Sequence, residues 1–289
     1  MNGATSITEA HRIATPSGDS CAATLYLPES ANEPFGCVVM GAGGTLTQRD
    51  GIPDYARRFA AGGLAAFSFD YRHWGESDGE PRRRASVPRQ LEDWRGAVAY
   101  ARGLPQVDSR RIAVWGMSLG GGHALSTAAD DPSIAAVVAL VPMADGLLFS
   151  ANLRIMRFLR RALPERLRRG SATQPAVGSA GLFPTDALPS FERLAANNGW
   201  QNEVNTDLDY PLGLYRPVRK ASRIRVPILV QLGEHDELAP RRGVEGTANR
   251  APRGEMRRYP IDHFACFWPE HIDEVADDEV DFLSRHLGP

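Results

Sequence analysis

Short runs of consecutive apolar residues, each closed off by turn-forming residues, recur at 37–40, 64–69, 112–115, 134–141 and 228–232. They are continuous rather than alternating in polarity, so each predicts a strand covered on both faces, as in a parallel sheet between two helix layers. Between them, Val87, Leu91, Trp94, Ala97, Val98 and Ala101 keep the i, i+3, i+4 spacing of an amphipathic helix. Ile272, Val275, Ala276, Val280, Leu283 and Leu287 do the same near the C-terminus, after a last strand predicted at 255–259. Residues 11–27, interrupted by Pro16, Ser17 and Gly18, read as an antiparallel hairpin at one edge of the sheet. The alternation as a whole predicts a doubly wound, mostly parallel α/β fold.

The rhythm stops between 145 and 222. An arginine-rich segment at 147–169 leads into a stretch rich in Ser, Ala, Gly and Pro at 170–189, and no strand signal appears. An insertion of this length between two core strands predicts a helical cap over the carboxyl edge of the sheet. The expected organisation is therefore core at 1–144, cap at 145–222 and core again at 223–289. The pairs Arg160-Arg161 and Arg168-Arg169 invite a nucleic-acid or membrane reading, but Lys220 is the only lysine, so arginine is the general cation of this chain. A solvated helix face accounts for them.

Composition narrows the partners. With 33 Lys+Arg against 35 Asp+Glu over 289 residues the net charge is -2, which gives no electrostatic ground for nucleic acid or a membrane surface. A small-molecule partner is expected. Cys21, Cys37 and Cys266 are odd in number and lie outside any CxxC or His-rich context, so they predict buried small hydrophobes rather than a disulfide framework or zinc site. No apolar stretch approaches the ~18 residues of a membrane span and no leader pattern opens the chain, which places the expected protein in the cytoplasm. The oligomeric state is left open.

The chemistry centres on Gly116-Met117-Ser118-Leu119-Gly120, directly after one predicted strand and directly before a helix-compatible run at 121–129. A serine between strand and helix needs a sharp turn, and small residues two positions to either side let the backbone pack beneath it. Such an elbow lifts the hydroxyl above the sheet and sets a helix N-terminus under developing negative charge. A hydroxyl needs a base. His263, in the loop 260–264 after the last strand, stands where a doubly wound hydrolase delivers one. His73 and His235 are the alternatives, whereas His11, His123, His271 and His286 fall on the hairpin or on helices facing elsewhere. Asp236, just past the strand at 228–232, suits the carboxylate that orients the imidazole, with Asp145 and Glu234 as rivals. The chain order is then Ser, Asp, His. The amide of Leu119 and one from the loop 41–45, Ala42 first and Gly43 next, are the expected oxyanion donors. That loop has neither GxGxxG nor GK[ST], which argues against a phosphate cradle.

Together these segments resemble the α/β-hydrolase superfamily, in particular the branch of dienelactone hydrolases, acetyl xylan esterases and prolyl-oligopeptidase-like enzymes. GMSLG, the strand and loop Phe69-Asp-Tyr-Arg-His-Trp-Gly-Glu-Ser-Asp-Gly79, and Gly233-Glu-His-Asp236 with Pro240 carry the likeness, which spans nearly the whole core. The resemblance implies Ser118 as nucleophile, His263 as base, Asp236 as acid, and Leu119 with Ala42 as the oxyanion hole. Many relatives have His-Gly before the oxyanion residue, where this chain has Met40-Gly41. The expected activity is hydrolysis of a carboxylic ester or related acyl bond of a small molecule through an acyl-serine. Thioester, lactone or amide cleavage, peptidase activity and acyl transfer are alternatives on the same side chains. Dehalogenase and epoxide hydrolase chemistry is disfavoured because the elbow residue is Ser rather than Asp. A non-catalytic ligand-binding homologue is further off, since such proteins commonly lose a triad member. No cofactor and no metal is implied. Leu147, Leu148, Phe149, Phe158 and Trp200 are the expected apolar walls contributed by the cap.

Overall fold

A computed structural model of the chain describes residues 7–29, 33–151, 153–169, 171–176, 182, 188–195, 201–207 and 212–288. The N-terminal hairpin consists of β1 (Ile7–Ala14) and β2 (Ser20–Leu27), paired antiparallel with Ile7 opposite Leu27. Then come β3 (Phe35–Gly41), α1 (Ile52–Ala61), β4 (Ala65–Phe69), the two-residue β5 (Arg84–Ala85), α2 (Val87–Arg102), β6 (Val107–Met117), α3 (Leu119–Asp130) and β7 (Ala136–Leu140). Every residue of β3, β4 and β7 is buried, as a strand covered on both faces requires.

The sheet has eight strands. After the interval between β7 and the next core strand, the chain adds β10 (Ile228–Gly233), α7 (Arg241–Arg250), β11 (Gly254–Tyr259) and α8 (Ile272–Leu287). Strand order is β1-β2-β4-β3-β6-β7-β10-β11, with β1 and β2 antiparallel and the remainder parallel. α1 packs with α8 on one face, and α2 with α3 on the other. The direction of winding reverses between β3 and β6, so the loops leaving their carboxyl ends diverge to opposite faces and leave a crevice at the sheet edge. Cys21, Cys37 and Cys266 are buried free thiols. Among the described residues no helix is long and apolar enough to cross a membrane.

The interval 145–222 carries α4 (Gly146–Ser150), α5 (Leu153–Arg169), β8 (Ser171–Gln174), α6 (Leu188–Ala195) and β9 (Val204–Asp207). It carries helices, and it is not strand-free. β9 pairs in parallel with β5 and antiparallel with β8, forming a second sheet of three strands. Four-residue strands such as Ser-Ala-Thr-Gln and Val-Asn-Thr-Asp are too short and too polar to show a period, which is why the pattern of the chain hides them.

Candidate active site

The turn from β6 into α3 is built on glycines for a steric reason. A Cβ on Gly116 would stand 2.2 Å from the Gly120 carbonyl oxygen, and one on Gly120 would stand 2.3 Å from that of Ala42. Only hydrogen fits at either position, so strand, helix and the loop after β3 close to backbone contact around Ser118. Ser118 itself sits at φ 55°, a left-handed conformation rare outside glycine. Its amide donates to the Leu140 carbonyl (2.9 Å), and its own carbonyl accepts from Met143 (2.8 Å), so neighbouring backbone holds the unusual turn in place.

Two further loops meet this turn. The loop after β10 and the loop after β11 are laced together: Glu234 N–H donates to Tyr259 O (2.8 Å) and His235 N–H to Ile261 O (3.1 Å). Within the first, Asp236 Oδ1 accepts from the amides of Leu238 (2.7 Å) and Ala239 (2.9 Å), leaving Oδ2 free to face the second. Within the second, Asp262 accepts from the amides of Phe264 and Ala265, both at 2.9 Å, and so shapes the turn that presents His263. The Phe264 ring stands edge-on to the imidazole at 4.9 Å.

The outcome is a series of three side chains. His263 Nδ1 lies 2.7 Å from Asp236 Oδ2 and Nε2 lies 2.9 Å from Ser118 Oγ. The Asp236 carboxylate can only accept, so Nδ1 carries the ring proton and bare Nε2 accepts from the Ser118 hydroxyl. The side chains of His263 and Asp236 are 4% and 1% exposed, which removes competing water from both hydrogen bonds.

The amide of Leu119 opens α3 and is one of the N–H groups a helix start leaves without an intrahelical acceptor. Ala42 follows β3 on the adjoining strand end. Its carbonyl accepts from Tyr71 Oη (3.1 Å), which in turn accepts from Trp94 Nε1 (3.0 Å), a buried chain beneath the loop. A Cβ on Gly43 would stand 3.2 Å from Ser118 Cβ, so this loop runs directly beside the serine.

The rival residues are occupied elsewhere. Asp145 caps α4 through the amides of Leu147 and Leu148 and binds Arg216 with both oxygens (2.9 and 2.7 Å). His235 and Glu234 are exposed, and His73 lies in a separate cavity. His123 is buried against Tyr215 Oη (2.7 Å) and Gln90, and burial pushes its pKa down to about 3. Among the described residues no group of three or more His, Cys, Asp or Glu side chains is arranged to hold a metal ion.

Over Ser118 lies a cavity of about 20 Å³ lined by Gly44, Leu119, Met143, Phe149, Leu182, Leu212 and Leu238. It is apolar and scarcely larger than one water molecule. Of the walls expected from 145–222, Phe149 lines it, whereas Leu147 and Leu148 are 50% and 36% exposed. The reason is local: α4 has only five residues, and with Asp145 capping it Phe149 turns inward while 147 and 148 face out. The Phe158 side chain and Trp200 lie outside the described residues. Leu182, Leu212, Met143 and Leu238 escape the sequence reading, although Leu238, two residues past Asp236, and Met143, just beyond β7, lie beside positions that the reading singles out.

Comparison with known proteins adds three kinds of likeness. Residues 33–265 match the family described as "Serine aminopeptidase, S33". The chain is 34% identical over 280 residues to the quorum-quenching protein AidA of Acinetobacter baumannii (strain MDR-ZJ06), covering 92% of this chain and 91% of that one. It is also 34% identical over 260 residues to the thiohydrolase apmlB of Arthrinium phaeospermum, covering 81% and 84%. Among solved structures, the α/β hydrolase GrgF from Penicillium sp. sh18 superposes with a TM-score of 0.82 at 23% identity, over 98% of this chain and 100% of that chain.

Proposed function

This chain belongs to the serine aminopeptidase S33 family of α/β hydrolases, its relatives include proteins named as a thiohydrolase and an acyltransferase, and from that premise we propose that it is a serine hydrolase cleaving a carboxylic ester or related acyl bond of a small molecule. The observation that carries the reading is the unbroken series Ser118 Oγ, His263 and Asp236 at 2.9 and 2.7 Å. In the proposed reaction Ser118 Oγ attacks the substrate carbonyl carbon while His263 Nε2 takes the hydroxyl proton. Asp236 stabilises the imidazolium from the far side of the ring. The carbonyl oxygen, now an oxyanion, is received by the amides of Leu119 and Ala42, whose loss one at a time would cost roughly 10²–10³ in turnover. Collapse expels the leaving group, which takes the proton from His263. Water, deprotonated by the same nitrogen, then attacks the acyl-serine and regenerates the hydroxyl.

The interval 145–222 acts in this reading as a cap. Phe149, Leu182 and Leu212 come from it to the cavity over Ser118, and a cavity of one water's volume requires these residues to move before an acyl chain enters. A second reading, thioester hydrolysis or acyl transfer on the same side chains, is favoured by the thiohydrolase and acyltransferase relatives.

Ser118→Ala, assayed on a 4-nitrophenyl butyrate and on the matching butyryl thioester, tests both. We expect the variant to lose at least about 10³-fold in turnover on whichever is the better substrate. Unchanged turnover on the two would remove Ser118 as nucleophile, and the ratio of the wild-type rates separates ester from thioester preference.

A further inference from the structure

α5 is one helix of 17 residues, about 25 Å long, that runs through Pro164 without a break. Arg160, Arg161, Arg168 and Arg169 are exposed on it, as a solvated helix face requires. Such a face does not call for Met156, Leu163 and Leu167, which are 39%, 46% and 70% exposed. Their spacing is i, i+7, i+11, so at 3.6 residues per turn they fall within roughly 40° of arc and make one outward row. Single exposed leucines are ordinary on protein surfaces, whereas an aligned row marks an interaction face. Arg160 stands beside the row, and Arg168 and Arg161 follow further round the helix on the same side.

Positive charge is concentrated here in a way that the balance of the whole chain conceals. α5 holds seven arginines against the single acid Glu165, a net +6 in a chain at -2. Glu165 pairs with Arg169 one turn on, at 3.3 Å. Among the described residues no carboxylate pairs with Arg160, Arg161 or Arg168. The neighbouring surface is apolar as well. α4 packs against α5 and exposes Leu147 and Leu148. The turn 212–215 is tied to α4 by Gly146 N–H donating to Tyr215 O (2.9 Å), and its Leu214 is 84% exposed. Phe149 and Leu212, on these same two segments, line the cavity over Ser118.

Whatever covers this face must supply negative charge and receive side chains that protrude. A second copy presenting the same helix would set +6 against +6 and be repelled. Leu167 and Leu214, each more than two-thirds exposed, project outward instead of lining a groove into which a peptide could settle. A fluid bilayer of anionic lipid meets both demands, because its acyl chains close around protruding leucines while its phosphates meet the arginines. Among the described residues no helix is long and apolar enough to cross a membrane, so the contact is that of a helix lying on the surface.

We propose that α5, with the exposed leucines of α4 and the turn 212–215 beside it, is a docking surface for an anionic phospholipid bilayer. Met156, Leu163 and Leu167 enter the boundary between headgroups and acyl chains, and the arginines meet the lipid phosphates. This goes beyond the acyl-serine reading of Ser118 and stands whichever bond is cleaved.

The test sediments the full chain with large unilamellar vesicles, either of phosphatidylcholine alone or of phosphatidylcholine with phosphatidylglycerol, at about 0.1 M salt. Wild type should bind the mixed vesicles at least about tenfold more tightly than the neutral ones, and added salt should weaken that binding. The triple variant Arg160→Gln, Arg161→Gln, Arg168→Gln should bind on the order of a hundredfold more weakly, at about fivefold for each arginine near an anionic surface. The double variant Leu163→Gln, Leu167→Gln should lose at least about tenfold. All four leucine and arginine positions named first in each variant are exposed, and circular dichroism checks that the variants stay folded. Equal binding to the two kinds of vesicle, or binding to neither, would overturn the proposal. So would full retention by the leucine variant, which would leave only loose adsorption of charge. A wild-type dimer that the leucine variant dissociates, with no vesicle binding, would assign the face to a second copy instead.

Discussion

The four loops around Ser118 and the interval 145–222 face each other across the same small cavity, yet they are built by opposite rules. The loops are locked: Gly116 and Gly120 admit no Cβ, the β10 and β11 loops exchange backbone hydrogen bonds, and Asp236 and Asp262 each tie down two amides. The interval joins the core through the Arg83–Glu203 and Lys220–Asp130 pairs and the short β5–β9 ladder. Among the described residues it also carries every exposed large hydrophobic side chain except Ile7, namely Leu147, Leu148, Met156, Leu163, Leu167 and Leu214. Reacting groups need sub-ångström placement, whereas a wall that admits a substrate must yield. Under the proposed reaction, the difference teaches that the bond cleaved and the molecule chosen would be governed by separate parts of this chain.

If the proposed acid belongs to the locked half, Asp236→Asn should have the largest effect with the least disturbance. The Asn amide oxygen can still accept from Leu238 and Ala239, so the loop keeps its shape. Its NH2 then faces His263 Nδ1 and forces the proton to Nε2, the wrong tautomer for accepting from Ser118. We expect kcat on a butyrate ester to fall roughly 10⁴-fold with KM and Tm nearly unchanged. A loss below tenfold would mean that another carboxylate orients the imidazole.

The sheet was legible in the sequence to the extent that its strands are continuous apolar runs, as at 37–40 and 228–232. The elbow was legible because GxSxG answers a steric demand that only small residues meet. β8 and β9 were not, since four-residue strands with a single apolar residue each leave no period to read. Leu182 and Leu212 reach the cavity from the inserted interval, and neither periodicity nor chemical type marks them out. Likewise the Asp145–Arg216 pair spans 71 positions and turns a plausible acid into a clamp.

The yielding half is tested by Phe149→Ala. This side chain is 5% exposed and closes the cavity over Ser118. Its removal should move the preferred acyl chain toward longer members, changing the octanoate-to-acetate ratio of kcat/KM by about tenfold, the scale on which a methylene-sized difference in a pocket is felt. An unchanged ratio would assign acyl selection to the core residues Met143 and Leu238.

The locked half also contains a group that works against its own stability, and it gives the smallest of the expected effects. Glu279 on α8 is fully buried; Trp115 Nε1 donates to its Oε2 (2.9 Å), and Oε1 has no partner. Burial pushes this carboxyl well above the usual carboxylate range, with the Trp115 hydrogen bond opposing weakly. The folded chain therefore holds a proton that the unfolded chain releases near the ordinary value of about 4.3. A raised folded pKa means that the contribution to stability is complete below that value and is lost as pH rises through the folded pKa. Wild-type Tm should thus decline between pH 5 and pH 8. Glu279→Gln keeps an acceptor for Trp115 and cannot ionise, so its decline should be shallower by a few degrees, at about 2–4 °C for each kcal/mol of linkage removed. Parallel Tm curves for the two proteins would show that Glu279 is already neutral in both folded and unfolded chains or ionised in both, and that the rigidity of the core carries no such penalty.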